Sequence, residues 1–355
     1  MEPGDLPPTY VEGFHDLDAV KRMKYTRLGN TDLMVSKLGY GASGLGLCYE
    51  AYDWEAARAA LLLALRSGVN YIDTAPWYGQ GRSERTLGQM LKGVPRKAYY
   101  IATKVGRYDK DYEHMFDFSG QRVLKSVENS LQLLGLPSVD VLQVHDLEFC
   151  PRRATILNET LPALHEVRAR GLTRYLGITG YHLGALLDVL DRSTVRVDTV
   201  LSYSRNNLHD TALQRVLPRL QAAGVGVIDA AATCMGLFCP QGPPDWHTGT
   251  PEVLRTAERA RQLCQERGVN IARLAVNFVL TEPGGATCLT SMMTPEIVRE
   301  NLAQVDRRLT DLERRCSDEI RARFAALNPD VCHWEGIAEK EYWDALGLTK
   351  DDDRV

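Results

Sequence analysis

The stretch that decides the fold is Val69-Asn70-Tyr71-Ile72-Asp73-Thr74-Ala75-Pro76-Trp77-Tyr78-Gly79. It begins as a β-branched, apolar run and ends in a turn that contains proline and glycine. The run predicts a buried strand over residues 69–73, with Asp73 at its end and Tyr78 in the loop that follows. A carboxylate and a phenol beside the end of one strand are suited to proton chemistry.

Segments typical of strands and helices alternate on both sides of this stretch. Eight strand-then-helix units can be counted from Leu38 onward, and they predict a (β/α)8 TIM barrel with an N-terminal hairpin and long C-terminal loops. The alternative is a doubly wound open sheet. Gly39-x-Gly41-x-x-Gly44 has the spacing of the GxGxxG fingerprint of that fold, but eight strand-then-helix units are more than such a sheet usually has. The expected strands after the first are residues 69–73, 99–103, 139–144, 173–178, 197–202, 225–230 and 286–290. The expected helices are residues 53–67, 83–91, 120–134, 157–170, 182–191, 211–223, 251–267, 271–281 and 295–309.

Composition limits the class of protein and of partner. The net charge of −4 and the pI near 6.1 give no basic footprint for nucleic acid. No apolar run approaches the ~20 residues that a membrane-spanning helix needs. The eight cysteines lack metal-site or disulfide-like spacing, so we expect free thiols, no metal and a cytoplasmic location. We expect a flexible tail over residues 1–22 and one barrel domain over residues 23–355, acting as a monomer or weak oligomer.

Polar residues end three consecutive predicted strands. Asp73, with Tyr78 five residues later, follows the first of them, Lys104 the second and His145 the third. Taken singly, each has a plain explanation, such as a turn cap, a packed aromatic, a solvated lysine or a core histidine. Because strand ends of a barrel share one face, the four can meet there. An ammonium near the phenol is expected to lower its pKa from ~10, with a carboxylate to hold the ammonium and a histidine to bond a carbonyl oxygen.

The sequence resembles the aldo-keto reductase superfamily over about residues 25–308. The motifs that carry the resemblance are Asn70-Tyr71-Ile72-Asp73-Thr74-Ala75-x-x-Tyr78-Gly79, Ile101-Ala102-Thr103-Lys104-Val105-Gly106 and Asp140-Val141-Leu142-Gln143-Val144-His145-Asp146. The resemblance implies a barrel that binds an extended nicotinamide dinucleotide. It implies that Tyr78 is the general acid/base, that Lys104 and Asp73 tune it, and that His145 orients the carbonyl.

The same resemblance implies where the cofactor lies. The nicotinamide is expected near Thr179 and Gly180, stacked on Tyr203, and the adenosine end over residues 291–301. The residues expected to contact the cofactor are Gly41, Thr179, Gly180, Tyr203, Ala230, Met235, Gly236, Leu237, Ser291, Ile297, Glu300 and Asn301. Two departures matter. Ala231-Ala232 stands where the superfamily usually has a Ser-Pro that helps to hold the pyrophosphate. Ser291, Met292 and Ile297 replace residues that are often basic, which favours NAD slightly over NADP.

Within the superfamily, the chain most resembles the galactose, arabinose and fucose dehydrogenase-like branch. The pieces responsible include Gln143-x-His145-Asp146-x-Glu148-Phe149 and Gln241-Gly242-Pro243-Pro244-x-Trp246-His247. That branch implies oxidation of an aldose at its anomeric carbon to a lactone, with a small-molecule sugar or aldehyde as the substrate. Aromatic faces suit sugars, so Trp77, Trp246 and Trp334 are candidates for the pocket, with plain loop packing as the alternative. The alternative functions are a broad NADPH-dependent aldehyde or ketone reductase and a cofactor-binding regulatory subunit.

Overall fold

The computed structural model describes residues 6–49 and 51–349. Within these residues, eight parallel strands form a closed barrel, which confirms the predicted (β/α)8 architecture. The strands of the preceding antiparallel hairpin are β1 (Tyr25–Arg27) and β2 (Met34–Ser36). The barrel strands are β3 (Leu38–Gly41), β4 (Tyr71–Asp73), β5 (Tyr100–Val105), β6 (Val139–Val144), β7 (Thr173–Gly180), β8 (Thr199–Tyr203), β9 (Gly226–Ala230) and β10 (Thr287–Thr290). Neighbours in sequence are neighbours in space, and β10 closes the barrel on β3.

Helices surround the barrel strands. They are α1 (Leu17–Arg22), α2 (Trp54–Arg66), α3 (Arg82–Met90), α4 (Tyr112–Met115), α5 (Gly120–Leu134), α6 (Arg153–Thr155), α7 (Leu161–Ala169), α8 (Leu183–Arg192), α9 (Ala212–Ala222), α10 (Pro251–Glu266), α11 (Ile271–Thr281), α12 (Pro295–Leu302), α13 (Asp311–Ala325) and α14 (Ile337–Ala345). Shorter 3₁₀ turns occur at Ala42–Gly46, Arg96–Ala98 and Leu147–Phe149, and a π-helical turn at Ile156–Thr160 joins α6 to α7. No helix in the described part of the chain is both long and apolar enough to cross a membrane.

Local signals set several boundaries. The Asp53 side chain accepts a hydrogen bond from the Ala56 N–H at 2.7 Å and so begins α2 as expected. Gly135, at φ 66°, ends α5 in the left-handed conformation that glycine adopts without strain. Helix α5, helix α11 and strand β6 have the bounds that the sequence predicts.

The hairpin closes the end of the barrel at which the strands begin. Leu28, Leu33 and Val35 are fully buried and form one cluster with apolar residues inside the barrel, among them Tyr71 and Ile228. The Asn30 N–H donates to the Gly224 carbonyl, next to the start of β9. A ligand therefore has to enter at the opposite end, where the strands end.

The segment predicted to be a flexible tail is packed over its described residues. Asp16 caps α1, Val20 of that helix is 1% exposed, and Asn70 donates through Nδ2 to the Thr9 hydroxyl at 3.0 Å. Residues 6–22 are thus held against the barrel, contrary to expectation, because apolar and polar side chains of the tail have partners distant in sequence. Residues 1–5 of that prediction, and residues 350–355 at the other end, lie outside the described residues.

Helix α12 is shorter than predicted, ending at Leu302 instead of residue 309. The chain continues in turns to Asp306, which has φ 64°, and Asn277 donates through Nδ2 to the Arg307 carbonyl at 2.9 Å. The chain then turns into α13, where Thr310 and Glu313 form a capping box. Neither the positive φ nor this tertiary contact can be read from helical periodicity.

Residues 326–349 cover part of the end at which the strands finish. Trp343 donates through Nε1 to the Phe149 carbonyl at 2.8 Å, just beyond β6. Glu335 pairs with the buried Arg205 at 2.5 Å, close to the end of β8. The connection from β9 to α10 has no regular secondary structure, as its proline and glycine content predicts.

Candidate active site

Four polar groups meet where β4, β5 and β6 end. Asp73 is the last residue of β4, Lys104 lies one residue before the end of β5, and His145 directly follows β6. Tyr78 lies in the loop after β4. These strands are hydrogen-bonded neighbours, so the groups that sequence spacing linked are brought together.

Lys104 is the centre of this group. Its ammonium forms a buried salt bridge with Asp73 and donates to the Thr74 carbonyl at 2.9 Å and to the Tyr78 hydroxyl at 3.2 Å. Both charged side chains of the salt bridge are 2% exposed. A buried charge is tolerated only when it is paired and hydrogen-bonded, and here all three donors of the ammonium have acceptors.

Gln143 is a member of the site that the sequence analysis quoted within two motifs but to which it gave no role. It donates through Nε2 to the second oxygen of Asp73 at 2.8 Å. Strand alternation gives a signal for it, because residues 141, 143 and 145 share one side of the chain and Val141 faces the barrel interior. Gln143 therefore fixes the Asp73 carboxylate from the side opposite Lys104.

Tyr78 is partly exposed, and its pKa lies well above 10. Burial disfavours the phenolate, and the negative charge of Asp73 adds to the effect. This net direction is opposite to the one we expected from Lys104 alone, because burial and the negative charge of Asp73 outweigh the attraction of the ammonium. At neutral pH Tyr78 is therefore a phenol that can donate a proton, with Lys104 as the cation nearest to any phenolate.

His145 stands at right angles to Tyr78, with 5.8 Å between the ring centroids and 88° between the planes. Burial lowers the pKa of His145 to about 3, so the imidazole is neutral at physiological pH. A neutral imidazole has one N–H to donate. Beside Tyr78, that donor suits a carbonyl or hydroxyl oxygen between the two rings.

The three candidate pocket tryptophans lie in different surroundings. Trp77 stacks on the Arg107 guanidinium, whose carbon is 4.1 Å from the ring centroid. Trp246 is 52% exposed and lies beside Tyr49 at the surface. Trp334 is 4% exposed and stacks on Tyr181 at 4.9 Å, so it packs the C-terminal segment instead of lining an open pocket.

The residues expected around the nicotinamide lie beside His145. Thr179 and Gly180 end β7, the strand next to β6, and Tyr203 ends β8. The Thr179 hydroxyl accepts from the Asp146 N–H at 3.1 Å. A Cβ on Gly180 would lie 2.3 Å from a carboxyl oxygen of Glu148, so a larger residue there would require the Glu148 side chain to move. Tyr203 is partly exposed, which leaves ring surface for stacking.

The loop after Ala230 has a strained backbone. Ala231, Cys234, Met235 and Gly236 all have positive φ, and non-glycine residues adopt this conformation at a cost. The side chains of Met235 and Leu237 are buried in the core, so contacts from these two positions to a cofactor would come from their backbone. Such a loop can present N–H groups to a pyrophosphate.

Some of the residues expected to bind the adenosine have side chains or backbone suited to a ligand. Ser291 has a buried hydroxyl that lacks a partner among the described residues, and a Cβ on Gly44 would lie 2.7 Å from it. Asn301 is buried, with Nδ2 3.4 Å from the Thr290 hydroxyl, whereas Ile297 is exposed and Glu300 pairs with Arg273 at 2.8 Å. Gly41 ends β3 beside Thr290. The unpartnered Ser291 hydroxyl and the glycine backbone beside it are features that suit the binding of a dinucleotide.

The fold and this set of side chains define an oxidoreductase of the aldo-keto reductase type. The profile described as the Aldo/keto reductase family matches residues 37–322, and the chain belongs to that family. Members of this family use nicotinamide cofactors and act on small molecules.

The chain is similar to several characterised members of this family. L-galactose dehydrogenase from Arabidopsis thaliana is 41% identical over 295 residues, which cover 82% of this chain and 90% of the relative. D-arabinose 1-dehydrogenase from Saccharomyces cerevisiae is 30% identical over 229 residues, or 62% and 67% of the two chains. The holo structure of an aldo-keto reductase from Bacillus halodurans superposes with a TM-score of 0.70 at 26% identity, covering 88% of this chain and 100% of that one.

Proposed function

We propose that the protein is a nicotinamide-dependent aldose 1-dehydrogenase of the galactose, fucose or arabinose type, which oxidises the anomeric carbon of the sugar to a lactone. The observation that carries the proposal is the Lys104 ammonium, held between Asp73 and Tyr78 with His145 alongside. The names of L-galactose dehydrogenase and D-arabinose 1-dehydrogenase among its relatives support the choice of substrate. We also propose a cytoplasmic protein, on the basis of its cysteine content.

The first task of the site is to move a proton. In lactone formation the anomeric hydroxyl loses its proton to the oxygen of Tyr78, which must first release its own phenol proton to water and so acts as the phenolate. Burial opposes that form, and the Lys104 ammonium at 3.2 Å counters the opposition. In the reverse direction the phenol returns the proton to the carbonyl oxygen.

The second task is to hold the sugar oxygen while the carbon reacts. Neutral His145 can donate one N–H to this oxygen. Thr179, Gly180, Tyr203 and Ser291 would hold the nicotinamide dinucleotide, which when bound supplies the hydride acceptor. Asp73 and Gln143 fix Lys104 and so keep the Tyr78 oxygen in position.

NAD is the cofactor that we propose over NADP. A 2′-phosphate needs a nearby arginine or lysine, and Ser291 and Ile297 supply none. Arg299, two residues from Ile297 in the sequence, pairs with Glu296 on its own helix at 3.3 Å. This exposed carboxylate offsets part of the positive charge that Arg299 could offer to a phosphate.

The test is a panel of galactose, fucose and arabinose with NAD⁺ and NADP⁺, read at 340 nm, beside simple aldehydes with NADPH. We expect aldose oxidation in the wild type and its near-complete loss in Tyr78→Phe, with NADH affinity unchanged, because only the proton-transferring oxygen is removed. Tyr175→Phe is the matched control, since it removes a tyrosine hydroxyl bonded to Asp32 at the opposite end of the barrel. Turnover of aldehydes without aldoses would favour the general reductase, and an unchanged kcat in Tyr78→Phe would contradict the mechanism.

A further inference from the structure

Asp146 and Arg107 form an ion pair at the edge of the site that the reaction described above does not use. Arg107 Nη1 lies 2.6 Å from Asp146 Oδ2, and the same oxygen is 3.7 Å from His145 Nε2. We propose that Asp146 binds the hydroxyl on the carbon adjacent to the reacting carbon, so that the site selects 2-hydroxy carbonyl compounds, aldoses included, over simple aldehydes. The inference rests on the proposed function for the position of the reacting oxygen.

The backbone at Asp146 is built to place this carboxylate beside the reacting oxygen. Asp146 has φ 49°, in the left-handed region that aspartate tolerates better than most residues. Its N–H donates to the Thr179 hydroxyl at 3.1 Å, which ties the turn after β6 to the end of β7. A strained residue next to a reacting group is a common feature of ligand-binding positions.

Arg107 holds the carboxylate in one orientation. Its guanidinium lies over Trp77, Phe116 and Phe149, with its carbon 4.1, 5.2 and 5.7 Å from the ring centroids. Planar guanidinium groups stack on aromatic faces, and three rings fix this one from several sides. The side chains of Arg107 and Asp146 are 22% and 16% exposed, so the pair is sheltered and still reachable by a ligand.

The carboxylate is ionised at neutral pH. Burial alone would raise the pKa of Asp146, but His145, the charge and hydrogen bond of Arg107, and the charge of Lys104 together outweigh it, and the net direction is downward. Since His145 is itself neutral above about pH 3, the Arg107 cation is the partner that acts at physiological pH. An ionised carboxylate is an acceptor only, and it bonds a hydroxyl more strongly than a neutral acceptor does.

The geometry gives the selection rule. A substrate oxygen that accepts from His145 Nε2 lies within one hydrogen-bond length of that nitrogen, and Asp146 Oδ2 is 3.7 Å from the same atom. Oxygens on adjacent carbons are themselves about one hydrogen-bond length apart, which brings the neighbouring hydroxyl to Asp146. The contacts of the carboxylate with Arg107 and His145 both use Oδ2, and Oδ1 is a second acceptor. A substrate without the hydroxyl leaves Oδ1 of this partly buried carboxylate without a donor from the substrate, while Oδ2 keeps its bond to Arg107, and this difference is the basis of the preference.

The test compares two substrates that differ only in this hydroxyl. Lactaldehyde and propanal are reduced with NADH and NADPH, and an aldose and its 2-deoxy counterpart are oxidised. We expect the wild type to prefer the 2-hydroxy member by about 10–100-fold in kcat/KM, the range of a hydrogen bond to a charged group. In Asp146→Ala the preference should fall to about threefold or less. In Asp146→Asn, which tolerates the same backbone conformation and keeps a neutral acceptor, we expect a partial loss.

The ratio of the kcat/KM values for the two substrates separates recognition of the hydroxyl from a structural role of Asp146. A distorted site slows the reaction of both substrates alike and leaves this ratio unchanged. Asp198→Asn is the matched control, since it breaks arginine pairs with Arg168 and Arg196 before β8, at the opposite end of the barrel, and should leave the ratio unchanged. No preference in the wild type, or an undiminished one in Asp146→Ala, overturns the inference. If Asp146→Ala does not fold, an undiminished preference in Asp146→Asn overturns it. If the wild type prefers lactaldehyde but oxidises no aldose, and Asp146→Ala loses that preference, this inference is sustained and the proposed function is refuted.

Discussion

Replacing Lys104 by methionine removes an ammonium while keeping most of the volume of the side chain. The ammonium touches the carboxylate of Asp73, the carbonyl of Thr74 and the hydroxyl of Tyr78. Its loss should affect both the phenolate that forms during sugar oxidation and the buried carboxylate that remains. The two effects can be measured separately.

The size of the catalytic effect follows from the distance. Two unit charges 3.2 Å apart attract by about 5 kcal/mol at an effective dielectric constant of about 20. This corresponds to roughly four pKa units for the phenol, or about 10⁴-fold in phenolate at fixed pH. Asp73 lies against the same ammonium and cancels part of the attraction. We therefore expect kcat/KM in Lys104→Met to fall by about 10²–10³ in both directions, because the equilibrium constant of the reaction links them.

The effect on folding has a different origin. Without Lys104, the Asp73 carboxylate is 2% exposed and retains Gln143 as a hydrogen-bond donor. Removing one partner of a buried ion pair leaves the other charge unpaired and lowers the free energy of unfolding by about 3–5 kcal/mol. The double variant Lys104→Met/Asp73→Asn removes both charges and should recover much of this stability, measured by denaturant unfolding, without recovering activity. A folded Lys104→Met enzyme with kcat/KM within tenfold of the wild type would refute the reasoning.

Two further predictions concern Glu148 and Ser291. Burial raises the pKa of Glu148 from 4.5 to about 8, so the folded protein holds a proton that the unfolded chain loses near pH 4.5. This contribution to stability is full below pH 4.5 and is lost as the pH rises to about 8, by up to about 1.4 kcal/mol per pH unit; denaturant unfolding of Glu148→Gln should be correspondingly less pH-dependent. Ser291→Arg supplies a cation near the expected ribose and should shift the ratio of the NADPH and NADH dissociation constants by about tenfold toward NADPH.

Each of these variants has a matched control. Glu166→Gln changes an exposed glutamate and should leave the pH dependence of unfolding as in the wild type. Ser291→Gln adds length at the same position without charge and should not favour NADPH. Equal pH dependence in Glu148→Gln and the wild type would contradict the buried proton. An unchanged cofactor ratio in Ser291→Arg would mean that the adenosine lies elsewhere.

Much of the barrel could be predicted because its signals are local. Buried parallel strands appear as short apolar runs, and caps such as Asp53 and Gly135 mark helix ends. The meeting of Asp73, Lys104 and His145 followed from one rule, that consecutive strands of a barrel end on one face.

The remaining features depend on contacts between distant segments. The direction of the pKa shift of Tyr78 is set by burial, which no spacing reveals. Arg107 reaches Asp146 across 39 positions of sequence, and three aromatic rings from separate loops hold it. Trp334 is an aromatic residue of the kind that lines sugar pockets, but it stacks on Tyr181 and packs the C-terminal segment against the barrel. Loops carry such contacts, and their conformations are the least determined by local sequence.

The closing of the barrel between β3 and β10 has a consequence for how the protein is made. Asp73, Tyr78, Lys104 and His145 are all synthesised early, yet β10 pairs with β3 only across about 250 positions of sequence. Until then, β3 and β9 each expose an open strand edge to the rest of the cell. A chain in this state carries every reacting group and can align with other unfinished chains through these edges. Slower translation or lower growth temperature should therefore raise the yield of active protein more than the yield of total protein.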